Sequence, residues 1–210
     1  QLDEAARGFS YRYDAGLDMR MNQQQERTAA QVINTYSEAE LQRLFSEYGE
    51  VRNARTLAKR LVKERQTRPI QTIGNLLSVI DPLVRGKRER YLAQDLQSLR
   101  IGVNDEMGAL SDFLEQSLEL LRPGGRLVVI AYHSIEDRLV KNFLKTGNVH
   151  GEVQRDFYGN IYRPFRLIVR GDQPSEEEIA ENPRARSARL RVGEKIESDF
   201  QETQKEPDIY

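Results

Sequence analysis

The chain has 210 residues, 38% hydrophobic and 31% charged, with a formal net charge of -1 and no cysteine. That length allows one good hydrophobic core or two small ones, and the supply of Leu, Ile and Val excludes a disordered chain. No apolar run approaches the roughly 20 residues of a membrane span. Without cysteine there are no disulfides, thiolate metal sites or cysteine nucleophiles, which fits a cytoplasmic setting.

The opening QLDEAARGFS has no apolar stretch after a basic start, so no secretory signal is expected, and the missing initiator Met points to processing or truncation. Residues 1–36 read as irregular. Ser37 and Glu40 form a capping-box pattern that opens a helix over 38–48, closed by Gly49. The next helix puts Ala54, Leu57, Ala58, Leu61 and Val62 on one face and ends before Pro69. A shorter one runs from Thr72 to Asp81-Pro82. From Leu92 through Leu99, Val103 and Leu110 to Leu121, apolar steps of three and four describe one helical stripe, bent or divided at Gly102.

Charge is segregated along these helices. Twelve Lys and Arg lie between Arg52 and Arg100 against Glu64, Asp81, Glu89 and Asp95, whereas 104–121 holds five acids and no base. A polyanion-binding face and a solvated helix surface both fit, and charge alone favours the second.

Arg122-Pro-Gly-Gly125 is a turn signal, after which the pattern changes. Arg126–Tyr132 is a continuous apolar run of the kind found in a buried parallel strand. Ile135–Lys145 reads as a helix, and Phe165–Arg170 and Ala188–Val192 as strands flanking the acidic helix SEEEIAE. The fold class expected is α/β, with a helical module joined to part of a sheet.

His133-Ser134-Ile135-Glu136-Asp137-Arg138 lies where a strand gives way to a helix, the usual ligand position in open α/β sheets. Ser134 reads as the N-cap, with Asp137 as its partner three residues on, and His133 as the direct participant. A hydrolase is not indicated, because triad members converge from separate elements and no G-x-S-x-G elbow is present. Asp18 and Arg20 in LDMRMN suit an internal ion pair as well as a site. Asn104 and Asp105, inside the long helix, suit a solvated face or a pocket lining. Arg184, Arg186, Arg189 and Arg191 alternate along an extended segment, which serves either a phosphate track or an ordinary strand face.

Taken together, five ordered stretches resemble the RsmH (MraW) family of bacterial ribosomal-RNA methyltransferases. RGFSYRYDAGLDMRMN is similar to that family's R-G-F-S-F…D-G-P-L-D-M-R-M-D. VINTYSEAELQRLFSEYGE, LQSLRIGVNDEMGAL, LRPGGRLVVIAYHSIEDRLVK and NPRARSARLRVGEKI follow in family order, so the likeness runs from residue 1 to about 197. The resemblance implies a class I, Rossmann-like fold with an inserted all-helical domain. It implies methyl transfer from S-adenosylmethionine to N4 of a cytidine in 16S ribosomal RNA of the small ribosomal subunit, with no metal and with homodimerisation. It divides the chain into a core loop (1–22), a helical insertion (23–98), the C-terminal part of the core (99–197) and an acidic tail (198–210).

Under the resemblance, Asp18 is a polar acceptor, and Arg20 and His133 orient the reacting groups. Tyr132 stacks on the base, while Asn104, Asp105, Ser134 and Asp137 line the acceptor side. Arg55, Lys59, Lys63, Arg184, Arg186 and Arg189 contact RNA. The family's glycine-rich donor loop would precede Gln1, the one donor-site residue that carries over, and no G-x-G-x-x-G segment occurs in the 210 residues. The chain alone is therefore expected to be inactive. Ala15-Gly16 stands for the family's Gly-Pro, and Asn22 for its Asp. The alternatives are a non-enzymatic RNA-binding module and a truncated structural fragment.

Overall fold

Three hydroxyl side chains set helix starts in the first half of the chain. The computed structural model describes residues 5–197. Thr28 accepts from the Gln31 N–H and Gln31 reaches back to the Thr28 N–H, opening α1 (Ala29–Thr35). Ser37 and Glu40 repeat this box at α2 (Glu38–Gly49), as the sequence predicts. Thr72 caps α4 (Ile73–Ile80). Each such cap contributes about 1 kcal/mol. At α3 (Ala54–Thr67) the Asn53 amide is used elsewhere, accepting from the Tyr91 hydroxyl (2.9 Å) and donating to the Leu83 carbonyl (3.1 Å).

Two of these helices correct the sequence reading. α1 lies in the segment expected to be irregular, because its three buried residues, Ala29, Val32 and Ile33, are too few to make a stripe. α2 includes Gly49, and Glu50 takes the left-handed cap position instead, with φ 52°.

The chain forms two compact units, one ending at Glu106 and one beginning at Met107. In the first, α1–α4 and α5 (Arg88–Asn104) enclose a core that includes Phe45, Leu57, Leu61, Leu76, Leu92 and Leu99. Full burial of each such side chain stabilises by about 1.5–3 kcal/mol. Gly102 does not break the stripe. It stays inside α5, where Leu44 of α2 packs so closely that a Cβ would lie 2.6 Å from Leu44 Cδ1. The break falls at Asp105, left-handed at φ 49°, after which α6 (Glu106–Leu120) begins.

The second unit carries α6 from Met107 on, β1 (Arg126–Ala131), α7 (Ser134–Thr146), β2 (Phe165–Asp172), α8 (Glu176–Glu181) and β3 (Arg189–Lys195). The sheet order is β1-β3-β2, and both pairings are antiparallel. The expected buried parallel strand is therefore corrected. β1 pairs Val128 with Val192, and only its Leu127–Ala131 face is covered, while Val128 and Ile130 are 59% and 54% exposed. Leu127, Val140, Phe143, Leu144 and Phe165 form the core of this unit, with Phe143 and Phe165 rings 5.7 Å apart. Gly193 in β3 admits Leu144 of α7, whose Cδ2 would sit 2.6 Å from an added Cβ.

The arginine alternation also needs correction. Pro183–Ser187 forms a 3-10 turn, because Asn182 accepts from the Arg184 N–H and Pro183 presets the turn. Arg184 and Arg186 thus sit on that turn, and the extended segment starts only at Arg189. No helix among the described residues is long and apolar enough to cross a membrane.

One buried group works against the first unit. Asp95 of α5 is fully buried, and neither carboxyl oxygen has a hydrogen-bond partner. Burial pushes its pKa up to about 8, and desolvation together with the nearby Asp95 raises the Tyr91 hydroxyl to about 12. Unfolded, the Asp95 carboxyl ionises near pH 4; folded, it keeps its proton to about pH 8. Its contribution is therefore fully present below pH 4 and is lost as pH rises to about 8. Asp95→Asn is expected to stabilise the protein relative to wild type, by a margin that grows by roughly 1 kcal/mol per pH unit between these limits. Denaturant unfolding at pH 5, 7 and 9 checks this, and a margin independent of pH contradicts it.

Candidate functional site

The LDMRMN segment is folded around Met19, a fully buried residue in the left-handed region at φ 56°. That conformation costs about 1–2 kcal/mol outside glycine, and burial of the Met side chain offsets it. Its N–H donates to the Arg7 carbonyl (2.9 Å), and the Arg7 guanidinium donates to the Arg20 and Met21 carbonyls.

With Met19 turned this way, Asp18 and Arg20 meet across it. Arg20 Nε donates to Asp18 Oδ1 at 2.7 Å and Nη2 to Oδ2 at 3.0 Å, while the Arg20 backbone N–H also donates to Oδ1. Arg20 Nη1 continues to the Gln25 carbonyl (2.7 Å). The hydrogen bonds from Arg20 outweigh partial burial and hold the Asp18 carboxyl below its usual range. Asp18 is therefore an anion at neutral pH, suited to accepting a hydrogen bond and poorly suited to removing a proton.

Asn104, the last residue of α5, holds the loop from the helix side. Its Oδ1 accepts from the Met21 N–H at 2.7 Å, and its Nδ2 donates to the Met19 and Arg100 carbonyls at 2.8 Å each. Gln25 Nε2 adds a bond to the Val103 carbonyl. Asp105 is exposed, and Arg100 and Glu106 form a two-pronged ion pair across the helix break, at 2.9 and 3.0 Å. Asp18, Arg20, Asn104 and Asp105, remote in sequence, thus gather in the first unit.

A second cluster stands at the start of α7. His133, and not Ser134, is the N-cap: it has extended backbone angles, and its Nδ1 accepts from the Glu136 N–H at 3.4 Å. Glu136 Oε2 accepts from the Tyr132 N–H, one residue before the cap, at 2.8 Å. The expected Ser134–Asp137 cap is displaced by one residue because Asp137 is drawn to β3. There Arg191 binds it through Nε (2.6 Å) and Nη2 (2.9 Å) and reaches the Arg170 carbonyl. Arg191 is buried at 9% exposure and joins α7 to the sheet.

This bonding leaves the His133 imidazole in its own tautomer problem, solved by the cap. Nδ1 accepts, so Nε2 carries the proton, and it lies 3.2 Å from Glu136 Oε1 without the alignment of a hydrogen bond. Burial raises the Glu136 carboxyl, but His133 and the neighbouring backbone N–H groups outweigh it and leave it below its usual range. Glu136 has no role of its own in the sequence reading, where the H-x-x-E spacing was the available signal. Arg191, read there with the alternating arginines as a phosphate track or a strand face, is instead an internal brace whose partner lies 54 residues away. Tyr132 is 56% exposed.

Arg55, Lys59 and Lys63 lie one turn apart on the exposed face of α3. Three other cations of the basic stretch are engaged: Arg65 donates to the Ile33 and Tyr36 carbonyls, Arg88 pairs with Asp81, and Arg100 with Glu106. Arg186 is exposed on its turn, and Arg189 donates to the Gly171 carbonyl. Gln1 and the acidic tail from 198 lie outside the described residues.

Residues 1–196 match the family model described as the MraW methylase family. Among curated proteins, the chain is 53% identical to the ribosomal RNA small subunit methyltransferase H of Parabacteroides distasonis, over 93% of this chain and 65% of that protein. It is 53% identical to the protein of that name from Cytophaga hutchinsonii, over 93% and 66%, and 52% identical to that of Flavobacterium johnsoniae, over 93% and 65%. The chain spans about 65% of the length of these relatives.

Asn104→Ala leaves the Met21 N–H and the Met19 carbonyl without their partner. At about 1–3 kcal/mol for each group left unpaired, a loss of about 2 kcal/mol is expected, with faster exchange of the Met21 amide. Asn104→Asp keeps the acceptor and should restore protection at Met21 while leaving stability low. Unchanged exchange in the alanine variant contradicts the clamp.

Proposed function

Because the chain belongs to the MraW methylase family, we propose that the protein it represents methylates N4 of a cytidine in 16S ribosomal RNA, using S-adenosylmethionine. The substrate is the small ribosomal subunit, and the setting is cytoplasmic. The fold of which this chain is part is a Rossmann-like methyltransferase sheet with an inserted helical domain over about 23–98.

The observation that carries this reading is the Asp18–Arg20 pair on its braced loop, a fixed anion with its charge half-neutralised. A cytosine amino group is a poor nucleophile, because its lone pair is delocalised into the ring. An acceptor placed against one amino hydrogen favours the geometry in which that lone pair is released. Asp18 supplies the acceptor and Arg20 fixes it; in the second unit, the exposed Tyr132 ring suits stacking with an unstacked base. His133 orients the reacting groups through the start of α7, its Nε2 buried beside Glu136 Oε1 at 3.2 Å. Asn104 acts through the loop, and Asp105, Ser134 and Asp137 shape the acceptor side. The exposed α3 face with Arg55, Lys59 and Lys63, together with Arg184, Arg186 and Arg189, holds the RNA backbone.

The described residues do not fit a donor site. The one Gly-Gly turn has its N–H groups engaged, Gly124 with the Lys195 carbonyl and Gly125 with the Arg122 carbonyl, both at 2.8 Å. No step through the donor is therefore assigned to these residues, and the 210-residue chain alone is expected to show no saturable S-adenosylmethionine binding in the micromolar range by calorimetry.

In the longer protein, Asp18→Asn is expected to lower methyl transfer to small subunits by about a hundredfold or more, with a far smaller effect on melting temperature. For His133, alanine removes both the cap and the imidazole, whereas asparagine can still cap. His133→Asn should thus keep stability and lose turnover. Wild-type turnover in that variant means His133 is only a cap.

A further inference from the structure

The second unit contains a hollow of about 490 Å³ between the C-terminal half of α7 and the edge strand β2. Lys141, Lys145, Arg163, Arg166, Arg170 and Arg191 line it, and no acidic side chain does. Two of these cations are neutralised from outside the hollow: Arg166 by Glu194 and Arg191 by Asp137. Lys141, Lys145 and Arg170 form no ion pair with any described carboxylate.

The arrangement follows from local structure. Lys141 and Lys145 are one helical turn apart and so share a face of α7. On a regular strand Arg166 and Arg170 would point away from Leu167. The β2–β3 register shifts between Leu167 and Val169 and again between Val169 and Asp172, and such bulges re-aim side chains. Residues of both strand faces therefore border one hollow. Leu144, Phe165 and Leu167 give it an apolar side.

We propose that this hollow binds a nucleotide of single-stranded RNA, its phosphates held by Lys141, Lys145 and Arg170. The inference rests on the RNA substrate proposed above and adds a contact surface separate from the α3 face and from the arginines of 184–189. Three unpaired cations around one concavity match a polyphosphate. The volume lies within the roughly 300–1,000 Å³ typical of ligand clefts, and the apolar side suits a ribose and base better than a bare anion. Single strands can present both parts, because their bases are free to turn out.

The test is fluorescence anisotropy of a labelled twelve-residue oligocytidylate with the 210-residue chain, between 50 and 200 mM salt. Lys141→Ala, Lys145→Ala and Arg170→Ala together should flatten the log–log salt dependence by about 2 units, at ~0.7 per contact. A charge-matched control, Arg12→Ala, Arg43→Ala and Arg122→Ala, should leave it within about half a unit of wild type. Lys141→Arg with Lys145→Arg should restore binding, and circular dichroism confirms that each variant folds. Equal flattening by both triples, no flattening by the first, or no binding by wild type overturns the proposal. So does displacement of the oligomer by inorganic pyrophosphate at equal concentration, which marks a plain anion site. None of these outcomes bears on methyl transfer, which is read separately through Asp18 and His133 in the longer protein.

Discussion

The arrangement of the candidate site in the first unit depends on one side-chain amide. Asn104 sits where α5 ends and bonds simultaneously to both sides of a loop more than eighty residues earlier. That loop contains a non-glycine residue in the left-handed region, a conformation the backbone holds only when its surroundings over-determine it. Asn104, Arg7 and the buried Met19 side chain together supply that determination, and the Asp18–Arg20 pair is the outcome. Ending α5 at this point serves the same purpose: a helix continuing past Asn104 would keep Asp105 helical and could not place Glu106 back against Arg100.

Charge in this protein divides between bracing and binding, and the division cuts across the sequence blocks. Arg65 satisfies the last carbonyls of α1, Arg191 ties α7 to two strands, and Arg20 immobilises a carboxylate. These arginines use the planar fork that lysine lacks. The cations left over, on α3 and around the hollow beside β2, include the four lysines Lys59, Lys63, Lys141 and Lys145. Lysine is a hydrated point charge on a flexible stem, which suits transient contact with phosphates more than internal bracing.

Asp95 shows the opposite design choice, a carboxyl buried without a partner and kept neutral by burial. Its place on α5, between the buried Leu92 and Leu99, makes it a standing liability for stability. The helix that carries it also carries Asn104, so the stability of the core and the geometry of the loop are linked through one element.

The sequence by itself determined the α/β class, the helix starts at Ser37 and Thr72, the turn at Gly124-Gly125 and the residues of the family motifs. These are readable because caps, turns and apolar periods act over three or four residues. It also singled out Asp18, Arg20, His133 and Asn104 as unusual. Only the tertiary structure decided what they touch. The Asn104 clamp and the Asp137–Arg191 pair span 83 and 54 residues, beyond the reach of any local pattern. The cap at α7 moved from Ser134 to His133 because Asp137, its would-be partner, was drawn to a strand that arrives later in the chain. The strand direction at β1 was equally hidden, since an apolar run fits a buried parallel strand and a one-sided antiparallel one alike, and only the pairing with β3 distinguishes them.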